Sequence, residues 1–254
     1  MDELKLPEKP VVVGLNNFPE LPYSVDEAMN GLKNNVEFLG HQYKKIMVVS
    51  SLPDEGKSFV SAMLWRKLYE SGRKCVYVDA DLRKSVTVDK YEIKREDGKR
   101  ISGLSNYLSD NCGIDDAYFN AGDENAFIVP NADNAPRPAL LLENGRMEQL
   151  LDTLAIDCDR VIVDVPPLEL LSDGEVVGRF CDGALLVVRC GVTDKRSVRR
   201  SIRKLDRIGC PFLGFVLSRA ETKRSGYYGR KYGGYYGGKY GGYYYGGADG
   251  DEPI

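Results

Sequence analysis

Short apolar runs alternate with amphipathic segments along most of the chain, and this alternation predicts its fold. Apolar runs predict strands at 45–51, 74–79, 126–130, 159–165, 183–190 and 212–218. Apolar residues at helical spacing predict helices at 24–39, 57–71, 139–154, 172–180 and 194–208, with a short one near 103–109. Several runs, such as 184–188, are apolar on both faces, as in a parallel sheet covered by helices. We therefore predict a doubly wound α/β domain with a mainly parallel sheet flanked by helices.

Two stretches do not follow this alternation and are predicted to be irregular. Residues 1–22 contain four prolines and little periodicity, which predicts an extended N-terminal arm. Ser24, followed three residues later by Glu27, predicts a capping box at the start of the first helix. The strongly charged stretch 83–101 is predicted to be a solvated excursion between a strand and a helix. The folded domain is expected to span 23–221.

The composition changes abruptly at Thr222, where tyrosines begin to alternate with glycines and a few cations. A glycine-rich tract without a hydrophobic period cannot offset its ordering entropy by packing. We therefore predict a flexible tail over 222–254. Its tyrosines are Tyr227, Tyr228, Tyr232, Tyr235, Tyr236, Tyr240, Tyr243, Tyr244 and Tyr245.

Composition and charge disfavour several classes of protein. The 254 residues carry 35 Lys and Arg against 38 Asp and Glu, a formal net charge of −3, which argues against nucleic-acid binding driven by general basicity. No apolar run approaches the roughly 20 residues that span a bilayer, and the N-terminus lacks the apolar core of a signal peptide. The six cysteines include no C-x-x-C pair, as expected of reduced thiols in a cytosolic protein.

The most informative stretch joins the first predicted core strand to the helix after it. Gly56-Lys57-Ser58 follows the apolar run 46–49 and opens a helical pattern. In a phosphate-binding loop, backbone N–H groups at a helix N-terminus face the phosphates, the lysine reaches the terminal ones and the serine ligates Mg²⁺. The usual first glycine is Ser51 here, and Asp54 adds a carboxylate to the loop. Taken alone, the match leaves open an ordinary glycine turn with an exposed lysine.

Two acidic motifs strengthen the phosphate-loop interpretation. Asp79 ends the next predicted strand, and Asp81 and Arg83 follow it at two-residue spacing. Asp164 follows the apolar run 161–163. Because ligands sit beyond the carboxyl ends of parallel strands, these carboxylates are expected in one crevice with the phosphate loop. They suit Mg²⁺ held through oxygen and water, or a base that takes a proton from a hydroxyl. The alternative is a pair of aspartates that cap a turn. Together the motifs predict a Mg-nucleotide site.

The combined motifs resemble those of the bacterial tyrosine kinases that work with capsule and exopolysaccharide export systems. The resemblance covers most of the chain, from Tyr23 to the tyrosine tail. It rests on Pro53-Asp54-Glu55-Gly56-Lys57-Ser58 as Walker A, Val78-Asp79-Ala80-Asp81-Leu82-Arg83-Lys84 as Walker A′ and Val163-Asp164-Val165-Pro166-Pro167 as Walker B. It implies the fold of partition-type P-loop ATPases and transfer of the γ-phosphate of ATP to tyrosine, with ATP and Mg²⁺ as cofactors. The eukaryotic kinase signatures H-R-D and D-F-G do not occur in the sequence.

The resemblance also implies a role for each matching residue. Asp81 is preferred to Asp79 as the base for the tyrosine hydroxyl, and Arg83 would support the transition-state charge or hold the aspartates in place. The tail tyrosines would be the acceptors. The implied catalytic residues are Lys57, Asp79, Asp81 and Arg83. The implied metal ligands are Ser58, Asp79, Asp81 and Asp164. The implied nucleotide-binding residues are Ser51, Pro53, Asp54, Glu55, Gly56, Lys57, Ser58 and Phe59.

Partners follow from the same resemblance. A kinase without its own membrane segment would need a separate transmembrane activator of the polysaccharide co-polymerase type. That activator would hold the cytoplasmic chain at the inner face of the membrane. A cognate tyrosine phosphatase and a homo-oligomer are also expected, but no nucleic acid.

Two positions depart from the family pattern. The E-x-x-R-x-x-R motif that builds a ring of subunits has Asn30 and Lys33 after Glu27, and neither supplies the bidentate fork of arginine. A weakened or differently made ring is therefore expected. Family members often have glycine where Asp54 stands, so its side chain is expected to point away from the phosphates.

Two alternatives remain open. A partition or septum-placement ATPase would act as a nucleotide-dependent dimer switch, but such proteins usually carry a lysine early in the phosphate loop, and 50–55 has none. They also lack a tyrosine tail. A non-enzymatic module could use the tail to engage RNA or to self-associate, but the tail has few cations and an acidic end at 249–252. We favour a kinase that autophosphorylates its tail and regulates the polymerisation and export of polysaccharide.

Overall fold

A computed structural model of the chain describes residues 4–220, so the predicted tail at 222–254 and its nine tyrosines lie outside the described residues. The strands are β1 (Val13–Leu15), β2 (Lys45–Ser50), β3 (Cys75–Asp79), β4 (Ile93–Arg95), β5 (Phe119–Asn120), β6 (Ala126–Val129), β7 (Arg160–Asp164), β8 (Gly183–Arg189) and β9 (Phe212–Ser218). The α-helices are α1 (Tyr23–Phe38), α2 (Lys57–Glu70), α3 (Thr87–Lys90), α4 (Leu104–Leu108), α5 (Pro138–Leu142), α6 (Arg146–Asp157), α7 (Asp173–Gly178) and α8 (Lys195–Arg207).

Seven strands form one sheet in the order β5-β6-β3-β7-β2-β8-β9. All neighbouring pairs are parallel except β5 with β6. The last residues of β3 and β7, Asp79 and Asp164, are register partners. The strands β2, β3 and β7 therefore end at one edge of the sheet. This confirms the predicted mainly parallel α/β fold.

Helices cover both faces of the sheet, so its strands are apolar on both sides. Along β2, Ile46 and Val48 pack in one core cluster, whereas Met47 and Val49 pack in the other. The first cluster contains residues of α1 and α2, including Trp65, and the second contains residues of α4 to α8. None of the helices in residues 4–220 combines the length and the apolar character that crossing a membrane requires.

A short antiparallel ladder lies in two segments that the sequence predicts to be irregular. In the predicted arm, β1 pairs with β4 of the charged stretch, with Val13 opposite Arg95. Val13 is fully buried. The Arg95 guanidinium is also buried and is tied to Asp97 and Asp116 at 2.7 Å each. The charged stretch is therefore not simply a solvated excursion, because the buried Arg95 side chain pairs with two partly exposed aspartates.

Two details of the helices differ from the prediction. Helix α1 begins at Tyr23 after Pro22, and no side chain caps it. The predicted capping box is therefore wrong, because Ser24 already lies inside the helix. The predicted helix 139–154 is two helices, since Gly145 adopts a left-handed conformation with φ of 82° immediately before α6. The other predicted core strands and helices agree with the observed bounds within two residues.

Candidate active site

The carboxyl ends of β2, β3 and β7 bring the phosphate loop and both acidic motifs to one edge of the sheet. The loop joins β2 to α2, and Asp79 and Asp164 are the last residues of β3 and β7. A cleft of about 560 Å³ opens at this edge. It is lined by Pro53, Asp54, Gly56, Lys57, Ser58, Phe59, Asp81, Arg83, Lys84, Val86, Lys90, Pro167, Leu170, Leu171 and Arg219.

Two residues of the phosphate loop have left-handed backbones. Gly56, which immediately precedes α2, has φ of 92°, and Asp54 has φ of 59°. Glycine adopts this conformation without steric cost, whereas other residues pay roughly 1 kcal/mol or more, and aspartate is among those that tolerate it best. The side chain of Asp54 is exposed. The glycine that is frequent at this position in the family that the motifs resemble would therefore suit the left-handed backbone seen here.

Buried side chains hold the loop from behind. Glu55 is only 3% exposed, and its carboxylate accepts the Leu52 N–H at 2.9 Å and the hydroxyl of Thr193. The Ser201 hydroxyl of α8 donates to the Ser51 hydroxyl at 2.9 Å. The side chains of Ser51 and Glu55, both predicted at the nucleotide, therefore face the protein interior and brace the loop. The Glu55 partner lies far along the chain, so the sequence offered no sign of this contact.

Lys57 is the point where the predicted residues converge. Its Nζ lies 3.1 Å from Ser58 Oγ, 3.5 Å from Asp81 Oδ2 and 3.3 Å from Asp164 Oδ1. Burial alone lowers the pKa of this lysine, but the charges of Asp164, Asp81 and Asp79 outweigh burial and raise the pKa. The ammonium group is therefore protonated and neutralises part of an acidic cluster.

The two strand-end aspartates are nearly inaccessible to water. Asp79 accepts the Ser85 hydroxyl at 2.6 Å, and burial together with the negative charge of Asp164 raises the pKa of Asp79 to about 7. The Tyr77 hydroxyl donates to Asp164 Oδ2 at 3.2 Å. Burial holds the pKa of Tyr77 well above its ordinary value, so the phenol stays a donor. Ser85 and Tyr77 were not among the predicted site residues, although they directly flank the Walker A′ motif.

Arg83 reaches away from the aspartates of its own motif. Its Nε and Nη2 donate to the two carboxylate oxygens of Asp173 at 2.6 and 3.0 Å. Asp173 is fully buried at the start of α7. The hydrogen bonds to Asp173 raise the pKa of Arg83 further above its ordinary value. This fork ties the Walker A′ motif to α7. The role of Asp173 cannot be predicted from the sequence, because it depends on the contact with Arg83.

The oxygen donors around Lys57 suit Mg²⁺. The Ser58 hydroxyl and the carboxylates of Asp81 and Asp164 all lie within 3.5 Å of the Lys57 ammonium. Mg²⁺ usually takes one or two carboxylates and completes its shell with water and substrate phosphates. Within residues 4–220, no three acidic, histidine or cysteine side chains form a complete metal cage. The donor set therefore fits a metal ion that is shared with a nucleotide.

Comparisons with known proteins agree with this geometry. No protein-family model matches the chain. It is 30% identical over 206 residues to the tyrosine-protein kinase CpsD of Streptococcus pneumoniae, which covers 80% of this chain and 89% of that protein. The fold is similar to the kinase domain of the Escherichia coli tyrosine kinase ETK, with a TM-score of 0.70, 31% identity and 81% of each chain covered.

A more distant likeness concerns the fold alone. The septum site-determining protein MinD of Pyrococcus horikoshii, solved in complex with Mg-ADP, is 24% identical and has a TM-score of 0.59. The match covers 70% of this chain and 72% of that one. P-loop ATPases thus share the sheet and its flanking helices.

Proposed function

Because this chain belongs to the family of bacterial tyrosine kinases, we propose that it phosphorylates the tyrosines of its own C-terminal tail and so regulates capsule or exopolysaccharide polymerisation and export. The chain is a protein-tyrosine kinase. The observation that supports its use of this site is the convergence of Lys57 on Ser58, Asp81 and Asp164. A lysine, a hydroxyl and carboxylates at the end of a phosphate loop are the groups that phosphoryl transfer requires.

The nucleotide is proposed to lie in the cleft, with its phosphates over the start of α2. Lys57 would then exchange carboxylate contacts for oxygens of the β- and γ-phosphates. Ser58, Asp81 and Asp164 would hold Mg²⁺, which neutralises charge on the phosphates when bound. Asp79 is also a predicted metal ligand, but it is buried behind these residues and accepts the Ser85 hydroxyl. It would act on the water molecules that the metal binds.

The base is proposed to be Asp81. Its side chain is 14% exposed and lines the cleft, whereas Asp79 is 1% exposed and does not. An acceptor tyrosine can therefore approach Asp81 directly. Its hydroxyl oxygen would bond to the γ-phosphorus as the bond from that phosphorus to the bridging oxygen breaks. ADP would leave with the bridging oxygen, and the tyrosine proton would pass to the oxygen of the Asp81 carboxylate that does not hold the metal.

Arg83 is proposed to keep the Walker A′ segment in place. The guanidinium of Arg83 bonds to both carboxylate oxygens of Asp173. Arg83 therefore lines the wall of the cleft, but its side chain is held towards Asp173. Of the two roles that the family resemblance implies, this geometry favours holding the motif over direct contact with the transferring phosphate.

Assembly through α1 is proposed to be weaker than in the family. The Asn30 amide donates to Asp26 and Glu27 of the same helix at 3.3 and 3.4 Å. Lys33 pairs with Glu37 at 3.5 Å. These side chains therefore have partners within their own helix. We propose a homo-oligomer whose ring contacts do not depend on arginine forks.

The proposed partners are a transmembrane activator of the polysaccharide co-polymerase type and a tyrosine phosphatase. The activator would hold the kinase at the inner face of the cell membrane. It would also raise the local concentration of subunits and so favour phosphorylation of one tail by another subunit.

The test is to incubate the full chain with Mg-ATP, with and without cytoplasmic peptides of a candidate activator, and to map phosphotyrosine by mass spectrometry. Phosphate is expected on tyrosines between 227 and 245. Lys57→Met is expected to lower the signal at least about 100-fold, the size of losing a preorganised charge contact at a reacting group. Lys9→Met, which changes an exposed lysine away from the cleft, is the matched control and should retain it.

A variant with all nine tail tyrosines changed to phenylalanine separates acceptor from catalyst. It should lose phosphorylation while binding nucleotide as the unmodified chain does. ATP hydrolysis without phosphotyrosine under every condition would contradict the proposal and support the dimer-switch ATPase instead.

A further inference from the structure

Helix α8 concentrates positive charge in a chain whose net charge is negative. Seven of its 13 residues are lysine or arginine, and Asp206 is its single acid. The whole chain carries a formal net charge of −3. Its inward face packs through Ser197, Ser201 and Leu205, so the cations lie on the outer surface. The helix is therefore a local cationic surface on an acidic molecule.

Three of these cations anchor the helix. Arg200 pairs with Glu169 at 2.5 Å. Lys204 pairs with Glu175 at 3.2 Å, and Arg207 contacts the same carboxylate. These contacts all lie on one flank of α8. They explain how α8 is held against α7 and the segment that carries Glu169.

The other four cations have no such explanation. They are exposed, and none has an acidic partner among residues 4–220. Two lie in the first turn, where the helix dipole disfavours positive charge. Like charges three or four residues apart also lower helix stability by a few tenths of a kcal/mol per pair. Their presence therefore opposes the stability of the helix. These cations are Lys195, Arg196, Arg199 and Arg203.

Exposed apolar side chains border the same helix. Val192, in the turn before α8, is 61% exposed. A groove between α8 and β9 is lined by Arg203 and Phe212, and the Phe212 ring lies 4.8 Å from that of Phe215. Phe215 and Leu217 on the edge strand are 49% and 60% exposed. Unpaired cations and exposed apolar groups are thus close together at one edge of the sheet.

We propose that this edge binds the surface of an anionic phospholipid membrane directly. The binding surface, called the α8 face, consists of Lys195, Arg196, Arg199, Arg203, Val192, Phe215 and Leu217. Arginine forks match lipid phosphates, and partly exposed apolar side chains can enter the headgroup region. The uneven charge of the molecule would orient α8 towards such a surface. The inference goes beyond the proposed function and does not rest on it, because no catalytic residue belongs to the α8 face.

The contribution of each cation can be bounded. A lysine or arginine beside an anionic bilayer strengthens binding about fivefold. Three such residues together therefore account for about 100-fold. Screening by salt weakens contacts of this kind.

The experiment measures co-sedimentation of the full chain, without nucleotide, with vesicles. One set contains equal parts of phosphatidylglycerol and phosphatidylcholine, and the other contains phosphatidylcholine alone. The unmodified chain should bind the anionic vesicles selectively at about 0.1 M salt and be released as salt rises. The combined variant Arg196→Glu, Arg199→Glu and Arg203→Glu should bind them at least about 100-fold more weakly.

The matched control is Lys9→Glu, Lys94→Glu and Lys99→Glu. It makes the same change in net charge at exposed lysines outside the α8 face and should retain vesicle binding within about fivefold, the effect of one cation. The α8 variant should melt at the same temperature as the unmodified chain or higher. It turns several like-charge pairs, such as those of Arg196 with Arg200 and of Arg203 with Arg207, into opposite-charge pairs, and it places acids near a helix N-terminus. Lost binding with a preserved melting temperature therefore reports the surface and not the fold.

Three results would overturn the inference. The unmodified chain could fail to prefer anionic vesicles, or the control triple could lose binding as fully as the α8 triple. The α8 face could instead bind a synthetic peptide of residues 226–246 phosphorylated on its tyrosines, with no vesicle binding. That last result would assign the face to a phosphorylated protein segment.

Discussion

At the ends of β3 and β7, Asp79 and Asp164 lie side by side with 1% exposure each, whereas the unpaired cations of α8 stand in solvent. Both regions collect like charges. In the buried region each charge has a specific partner: Ser85 donates to Asp79, and Tyr77 and Lys57 donate to Asp164. On α8, four cations have no acidic partner among residues 4–220.

The two regions differ in how much stability an unpaired charge costs. A buried charge without its partner costs several kcal/mol, whereas an exposed one costs little because water and salt screen it. Charge at the strand ends is therefore tied to the fold and, in the proposed mechanism, to the reaction as well. Charge on α8 is expected to be changeable without unfolding the chain, as the proposed binding surface requires.

Removing the cation from the buried cluster should have the largest effect on stability. Lys57→Met leaves the carboxylates of Asp79, Asp81 and Asp164 without their shared counter-ion. We expect the free energy of unfolding to fall by about 3 kcal/mol near neutral pH. The loss should shrink at lower pH, as Asp79 takes up a proton. Urea unfolding without nucleotide at several pH values measures it, with Lys9→Met as the control. An unchanged midpoint would mean that water already screens the cluster.

Asp79 should make the unmodified chain less stable as the pH rises. Its pKa is about 7 in the folded chain and about 3.9 unfolded, so between these values the folded state binds more protons. By linkage, stability then falls as pH increases from about 4 to about 7 and levels off above. We expect about 2 kcal/mol of the fall to disappear in Asp79→Asn, which cannot take up this proton. Thermal unfolding of both chains across this range, without nucleotide, is the measurement. Parallel profiles would contradict the assignment.

The pair of Arg83 and Asp173 lies between the two extremes, since its acid is buried and its cation is 39% exposed. Asp173→Asn keeps the shape but removes the charge that the fork grips. We expect about 1.5 kcal/mol of lost stability and about tenfold slower phosphotransfer, because the Walker A′ segment is no longer held. Urea unfolding and the initial rate of phosphotyrosine formation report the two effects.

Arg83→Lys is the companion variant, since it keeps the charge but lacks the bidentate fork. It should show the same two losses. Full activity with reduced stability in both variants would place the pair in the fold alone.

The sequence predicted the parts of the molecule that depend on local pattern. The strands of the parallel sheet were located because runs such as 161–163 are apolar on both faces. Motif spacing placed Lys57, Asp81 and Asp164 in one crevice, because strands of a parallel sheet end at the same edge. Their contacts in the structure confirm that they converge.

Contacts between residues that are distant in the chain could not be predicted from local sequence pattern. The strand at Val13 has three residues, and its partner lies in a stretch dominated by charge. Glu55 resembles any exposed loop acid until Thr193 is brought to it. The break at Gly145 is different, since Asn144-Gly145 is a turn signal that was available in the sequence.

Substitutions of Asp54 should have the smallest effect on the free energy of unfolding. They separate the effect of the carboxylate charge from that of the backbone conformation in the phosphate loop. Asp54 is an exposed acid beside the buried cluster, and its φ of 59° is a conformation that favours glycine. If the backbone governs this position, Asp54→Gly should raise the free energy of unfolding by about 0.5 kcal/mol. Glycine relieves the strain of the positive φ, and the larger entropy that glycine loses on folding offsets part of this gain. Asp54→Ala removes the same charge but cannot relieve φ, so it should lower stability by about 0.5 kcal/mol. Urea unfolding of the two variants distinguishes the explanations, because equal shifts would make the carboxylate, and not the backbone, the source of the effect.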